Sequence, residues 1–383
     1  MHVLVVDIGS GSAGLALVFL KKGSAPTIKY SIRQDIPFQK VPSAGRLLYL
    51  TLKSLRALVL QYQRDGNPNP DKIDCYLSSH LLISQTRIVK LQFDTPRRIN
   101  RSLIDSMING ELVLFKSENA TKYKERSVVV DNKLMSVKLN GYNVDDIDSR
   151  SVKELELAVF FTLVSESIDI AIRHTIADCF HHANLETHSF LFSSFSVYRD
   201  LFKENKDFVF IDIGGEVTDI SLVKDGILES SSSFSSGKNN LIRQVTKRFG
   251  DERLLADSVL NIYSEGGMNE RFKELLRPVF DDFGREWSNK LKFAIDKLAS
   301  NKRLPDIFYI LSDADVAALF QTMLASTDLS GKLLLNKSPD IKTIINKDFE
   351  RFYLHGNNVV SDVFLTMGAL FSNKIFYNLN FKL

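Results

Sequence analysis

At 383 residues the chain is long enough for two or three domains with a large buried core. With 44% hydrophobic and 25% charged residues it has an ordinary globular composition, and a net charge of +3 excludes a global polyanion-binding signal, so no nucleic-acid partner is expected. The two cysteines, Cys75 and Cys179, lie far apart, fit no metal spacing, and read as buried, inert thiols in a reducing compartment.

Residues 3 to 20 are strongly apolar. Asp7 lies inside the stretch, no basic residue precedes it and glycines interrupt it, so neither a signal peptide nor a membrane helix is expected there. The segment reads instead as two strands, with a third around Thr27 to Ile32. Leu47 to Gln63 has helical apolar spacing, and Asn67-Pro68-Asn69-Pro70-Asp71 supplies turn chemistry after it. A short strand at Asp74 to Leu77 leads to Ser78-Ser79-His80. From Ile83 to Val144 the pattern changes: alternation at Ile88 to Phe93, a helix at Asn100 to Phe115, then strands at Ser127 to Val130 and Leu134 to Leu139 split by a turn at Asp131-Asn132-Lys133. That describes a small α+β insertion.

Val152 to Ile170 returns to β-branched and apolar residues, Ser165 to Ala183 reads as a helix, and His188 to Phe192 as a strand before a helix beginning near Ser193. Gly237 opens a helix to Phe249 with Gly250 as its C-cap, and residues 251 to 300 are mostly helical, with a long amphipathic element at Arg271 to Leu298. A buried strand at Ile307 to Leu311, a helix at Ala314 to Met323 and a final helix at Val359 to Phe371 complete the chain. Strands alternating with helices in two halves indicate α/β layers.

Two segments read alike. Val5-Val6-Asp7-Ile8-Gly9-Ser10-Gly11-Ser12 and Phe210-Ile211-Asp212-Ile213-Gly214-Gly215-Glu216-Val217-Thr218-Asp219 are each an apolar run ending in Asp-Ile-Gly, then small residues, then a second apolar run. The pattern is a β-hairpin whose turn is bare enough for successive amides to cradle a phosphate. Asp7 and Asp212 at the strand ends are positioned to hold Mg²⁺ through water, or to cap their turns. Two such hairpins, 212 − 7 = 205 residues apart, suggest a duplicated domain closing on a nucleotide.

These hairpins resemble the two phosphate motifs of the actin-like ATPases, the superfamily of actin, sugar kinases and the large heat-shock chaperones. Within it the chain is most similar to the bacterial FtsA and PilM families. Asp212 to Asp219 stands where the family reads Asp-Ile-Gly-Gly-Gly-Thr-Thr-Asp; Phe192-Ser193-Ser194-Phe195-Ser196-Val197 resembles the linking helix start, and Gly237-Lys238-Asn239-Asn240-Leu241-Ile242 the helix after the second motif. The resemblance implies a duplicated ribonuclease H-like, two-lobed α/β fold with an inserted α+β subdomain. Residues 1–82 and 151–205 would form the first lobe, 83–150 the insertion, 206–358 the second lobe and 359–383 a C-terminal helix and tail. It also implies ATP and Mg²⁺, with Asp7, Gly9, Ser10, Gly11, Ser12, Asp212, Gly214, Gly215, Thr218 and Gly237 around the nucleotide and Asp7 and Asp212 at the metal. The implied partners are proteins of a division or pilus machine, including further copies of the chain, gripped through the insertion. The implied location is cytoplasmic, with recruitment to the inner face of the plasma membrane and only peripheral membrane contact.

Several positions depart from the family pattern. The adenosine motif should end its strand in glycines, yet Ile307 to Leu311 runs into Ser312-Asp313-Ala314-Asp315, where two carboxylates would repel phosphate. Ser193 and Ser194 are too weak as bases to activate water, so hydrolysis should be slow. Two other readings therefore stay open: a pseudo-ATPase interaction module, and a small-molecule kinase of the same superfamily, for which no catalytic Asp is visible. Glu216 reads as a solvated turn residue; Thr218 and Asp219 either line the site or pair along the returning strand; Gly237 either presents amides to a ligand or only starts a helix. Glu274 and Arg277 read as a surface ion pair. His174, His181, His182 and Cys179 are not expected to bind metal. Ser230 to Ser236 reads as strand and loop, and the tail from Phe371 lacks the periodicity of a membrane anchor.

Overall fold

The structure is a computed structural model that describes residues 1–377 apart from 124–125, 145–149, 181–183, 251–252, 265, 300–301, 336–337 and 357–358, and apart from the side chains of 122–123, 253–257 and 264. Strands β1 (His2–Ile8), β2 (Ser12–Phe19) and β3 (Thr27–Asp35) lead to helix α1 (Ala44–Arg64) and β4 (Lys72–Leu77). After a 3-10 turn at Ser79–Leu81 come β5 (Leu82–Arg98), α2 (Arg101–Tyr123), β6 (Ser127–Leu139), β7 (Tyr142–Asn143) and β8 (Ser151–Ser165). Then follow α3 (Glu166–Ala177), β9 (Asn184–Ser189) and α4 (Phe190–Leu201). The second half runs β10 (Phe208–Ile213), β11 (Thr218–Lys224), β12 (Ile227–Phe234), α5 (Lys238–Phe249), α6 (Arg253–Ser264), α7 (Glu270–Ala299), β13 (Ile307–Ser312), α8 (Ala314–Ser326) and β14 (Asp340–Thr343). A 3-10 segment at Asn346–Phe352, β15 (Leu354–His355) and α9 (Val363–Phe376) end the described chain.

Two sheets repeat one plan. In the first, ordered β15-β3-β2-β1-β4-β9, β1, β2 and β3 form an antiparallel meander while β4 and β9 run parallel to β1 on its other side. In the second, ordered β12-β11-β10-β13-β14, the meander is β10, β11 and β12, with β13 and β14 parallel on the far side of β10. The central strands β1 and β10 carry near-continuous apolar runs because helices cover both faces of a parallel pairing. Asp7 and Asp212 thus occupy equivalent positions, each next to last in the first strand of its sheet.

A third, antiparallel sheet ordered β5-β8-β6-β7 packs against α2 through Ile104, Ile108 and Phe115 on Val137, Leu155 and Phe161. Its strands run from 82 to 165, so β8 belongs to this sheet where residues 151 onward were expected to resume the first lobe. An aromatic core containing Tyr76, Phe192, Phe195, Phe208, Phe210, Tyr309 and Phe371 joins the two larger sheets. The α9 helix crosses back to the first sheet, where Gly368 lies so close to β1 and β4 that a Cβ would stand 2.7 Å from Val5 Cγ1. Among the described residues no helix is long and apolar enough to cross a membrane.

Local expectations need four corrections. Asp131-Asn132-Lys133 is not a turn: β6 is one strand, and pairing shifts at Val129/Asp131 and Leu134/Ser136 absorb the polar residues as bulges. The strand expected at His188 to Phe192 ends at Ser189, whose hydroxyl accepts from Phe192 N and caps α4, so the helix begins three residues early. The α3 helix stops at Ala177 and the last helix starts at Val363, behind an Asp362 cap. His181 and His182, and the tail from 378, lie outside the described residues.

Candidate functional site

The turns that follow β1 and β10 face each other across the two lobes. Around a shared cavity of about 40 Å³ the fold gathers Asp7, Gly9, Ser10, Gly11, Ser12, Asp212, Gly214 and Gly215, together with Arg33, Ser78 and Asp313. The loops touch: a Cβ on Gly215 would lie 2.4 Å from Gly11 Cα, and Ser10 Oγ accepts a 2.9 Å hydrogen bond from Glu216 N. Glycines are required here because two backbones share the space of one side chain.

Asp7 is not free for a metal. Arg33, projecting from β3, donates from Nη2 to Asp7 Oδ2 at 2.8 Å, from Nη1 to Ser12 Oγ at 2.9 Å, and to both oxygens of Asp362 at 2.5 and 3.1 Å. Its guanidinium also lies 5.3 Å from the centroid of Phe364. Register places Arg33 opposite Gly14, where a Cβ would come within 2.9 Å of Arg33 Nη2, so the bare strand position lets the guanidinium cross β2. Burial works against the charge on Arg33, but Asp362 and Asp7 raise its pKa above the ordinary value. Burial raises the Asp7 carboxyl, with Arg33 pulling the other way; burial would raise Asp362 too, but Arg33 and the amides of Leu365 and Phe364 bring it below the usual range. Asp7, expected as an Mg²⁺ ligand, is part of a buried ion pair that ties the first hairpin to the cap of α9.

Asp212 has the opposite surroundings. Its Oδ1 is buried without a hydrogen-bond partner, and burial, then the nearby Asp219, Asp7 and Asp313, push its carboxyl well above the ordinary value. Asp219 is likewise buried and pushed up to about 7 by burial, against a 2.7 Å hydrogen bond from Ser79 Oγ. Both shifts favour the protonated carboxyl on this side of the cavity.

The start of α5 is also taken. Lys238 N and Asn239 N donate to Gly214 O and Gly215 O at 3.0 and 2.7 Å, and a Cβ on Gly237 would stand 2.2 Å from Gly214 O. The helix amides that Gly237 might have offered a phosphate therefore bind the second loop's carbonyls. Thr218 also leaves the site, since its hydroxyl donates to Ser236 O at 2.6 Å and accepts from Trp287 Nε1 in the core of the second lobe.

Glu216 is not a solvated turn residue. It binds Arg243 at 2.5 Å and Asn239 at 2.9 Å, and Arg243 reaches across to Gln39 O of the first lobe at 3.2 Å. Asp313 and Asp315, expected to repel phosphate, are both bound by Lys238 Nζ, at 3.0 and 2.7 Å, so one ammonium offsets one of the two charges of the degenerate adenosine segment. Ser193 and Ser194 donate their hydroxyl protons to Ser189 O and Phe190 O at 2.8 Å. Arg277 lines a separate surface cavity of about 710 Å³ between α7 and α8, and Glu274 is exposed. His174 is exposed and Cys179 half-buried; among the described residues neither belongs to a cluster with metal-ligand spacing.

Arg33, Asp362, Lys238, Arg243 and Ser79 were missed by the sequence reading. One signal pointed to Arg33: a glycine inside a strand, Gly14, marks close approach by another group.

ATP and Mg²⁺ do not fit this arrangement. A nucleotide needs roughly 300 Å³ or more, and about 40 Å³ holds a few waters. The amides of Gly9, Gly214, Glu216, Lys238 and Asn239 bind protein oxygens, and a guanidinium holds the first carboxylate.

The sequence matches no family model and no curated protein. Among solved structures, a PilM-PilN type IV pilus biogenesis complex matches with a TM-score of 0.63 at 15% identity, over 99% of this chain and 98% of that one. The ethanolamine utilization protein EutJ from Carboxydothermus hydrogenoformans matches with a TM-score of 0.47 at 12% identity, over 97% and 90% of the two chains. In its duplicated lobes, its third sheet and its length, the chain has the actin-like ATPase fold in a PilM-like form.

Proposed function

We propose that the chain is a cytoplasmic scaffold of the FtsA or PilM kind that recruits protein partners to a membrane-associated division or pilus machine, and that it works as a pseudo-ATPase. The observation that carries this reading is the Arg33 guanidinium bound to Asp7, Ser12 and Asp362 inside the cleft. A cation fixed by the fold stands beside Asp7 where a bound metal would be needed, and it ties the first hairpin to the cap of α9 without a nucleotide.

Two further features support a binding role. The solved PilM neighbour is itself a complex with a protein. In the third sheet, β5 is an edge strand whose side chains are alternately exposed from Ile88 and continuously exposed from Asp94 to Arg98, which suits addition of a partner strand. The kinase reading loses ground because Ser193 and Ser194 are back-bonded and no carboxylate stands in their place.

Thermal unfolding in rising Mg²⁺-ATP tests the proposal. A ligand of the folded state stabilises it in proportion to the logarithm of its concentration over Kd, so the expected result is no shift at millimolar nucleotide. A saturable upward shift would overturn the pseudo-ATPase and restore a nucleotide-loaded scaffold.

A further inference from the structure

Away from the cleft, the first sheet gathers a second set of charged groups. The strands β4 and β9 are parallel neighbours with Asp74 opposite Glu186 and Tyr76 opposite His188. Because alternate residues share a face, Lys72, Asp74, Glu186 and His188 converge on the face that α9 covers. Asp74 Oδ1, Glu186 Oε2 and His188 Nε2 all lie within 4.8 Å of one another, His188 Nε2 being 3.7 Å from Asp74 and 4.0 Å from Glu186.

Two observations set the cluster apart from an ordinary ion network. His188 is 7% exposed, and its Nε2, 3.7 and 4.0 Å from the two carboxylates, has no hydrogen-bond partner; Asp74 is fully buried, with the Lys72 ammonium 3.0 Å from its Oδ1. One cation also serves two carboxylates: Lys72 lies 3.0 Å from Asp74 and 2.8 Å from Glu186, beside a buried imidazole. The ring of His188 is held by Tyr76 and Phe371 at 5.4 and 5.6 Å, and Tyr76 shares a 2.7 Å hydrogen bond with Ser372 of α9, so the donors are fixed by packing.

We propose that Asp74, Glu186 and His188 form a binding site for a divalent transition ion of the zinc type, in which the ion displaces the Lys72 ammonium. One imidazole nitrogen and two carboxylate oxygens are a donor set this class accepts, with water in the fourth position. Tetrahedral bonds of about 2.0–2.2 Å place ligand atoms about 3.4 Å apart, so the 3.7 and 4.0 Å separations of His188 from the carboxylates must contract by roughly 0.3–0.6 Å, with the exposed Glu186 side chain free to close the rest. Glu186, with 43% of its side chain exposed, provides the route from solvent. Two carboxylates and one divalent ion balance in charge, with Lys72 released to water. The bound ion would join β4 to β9 beneath α9, a staple for the C-terminal helix independent of the nucleotide cleft.

The test is titration of chelator-stripped full-length protein with Zn²⁺ against a chromogenic competitor, alongside Co²⁺ absorption to report oxygen and nitrogen ligands. Wild type is expected to bind one ion per chain, H188Q and E186Q at least about tenfold more weakly, and K72M at least about tenfold more tightly, because the competing ammonium is gone. Far-UV circular dichroism checks that each variant folds, and the half-exposed position of Glu186 makes E186Q the tolerant one. Binding that is unchanged in both H188Q and E186Q, a thiolate charge-transfer band with Co²⁺, or no stoichiometric binding by either wild type or K72M would each overturn the proposal and leave Lys72 as the cluster's permanent cation.

Discussion

Asp7 and Asp212 stand next to last in the first strands of two hairpins that share Asp-Ile-Gly and the same pairing, yet Arg33 binds Asp7 while Asp212 Oδ1 has no partner. The first hairpin carries a buried charge pair, whereas in the second burial raises the carboxyl of Asp212 well above its ordinary value. The difference arises one strand away. Opposite Gly14, the third strand of the first lobe supplies Arg33, whereas the third strand of the second lobe is Ile227–Phe234, with serines along its middle and no cation aimed at the turn. A motif therefore fixes where a carboxylate sits, and the neighbouring strand decides its charge.

Substitutions at the two aspartates' surroundings should separate these regimes. Replacing Arg33 with Met leaves Asp7 and Asp362 buried and unpaired, and is expected to cost about 3–5 kcal/mol in urea unfolding. Asp212→Asn, which removes an orphaned carboxyl without removing a partner, should be neutral or stabilising in the same measurement. Equal losses for the two would break the contrast. At the loop contact, Gly215→Ala drives a Cβ into Gly11 and is expected to cost about 1–3 kcal/mol, because both backbones must move.

The pH dependence has a sign that the structure sets. Asp219, raised to about 7, keeps its proton in the folded state across a range where the unfolded chain sheds it near pH 4, so its stabilisation is lost as pH rises from about 4 to 7. His80, lowered to about 4 by burial, acts oppositely: the unfolded chain gains a proton near 6.5, and stability is lost as pH falls from there to about 4. Asp219→Asn should therefore raise the Tm at pH 8 relative to pH 5, by several degrees, when thermal scans of variant and wild type are compared. A variant whose pH profile overlays wild type would show that Asp219 ionises normally. The smallest effect is expected at the adenosine segment, where Lys238→Met removes a partner from Asp313 and Asp315 and should cost about 1 kcal/mol, since Asp313 is well exposed and solvent screens the pair.

Much of the architecture was legible because it rests on local pattern. The apolar runs of β1, β10 and β13, the helix opened by Gly237 and closed by Gly250, and the long helix near 271–298 all follow from periodicity and end signals. The site was legible only in part. The glycines and aspartates of the two turns do converge, but Thr218 turns into the core and the α5 amides bind carbonyls, because strand twist and helix approach decide those orientations. Glu216 read as exposed and is paired with Arg243, 243 − 216 = 27 residues away, and no window of local sequence contains such a partner.

What the sequence determined by itself was the duplicated hairpin plan, the α/β layering and the loss of glycine at the adenosine segment, since each depends on residue type and spacing along the chain. The tertiary structure decided what the cleft contains. Arg33 meets Asp7 from 26 residues away and Asp362 from 329 residues away, and Lys238 meets Asp313 from 75. Charge pairing across such distances depends on which strands become neighbours and which helix returns. That is why the same Asp-Ile-Gly can announce a nucleotide clamp in sequence and fold with its carboxylate paired to a guanidinium of the chain in one lobe and without a cation partner in the other.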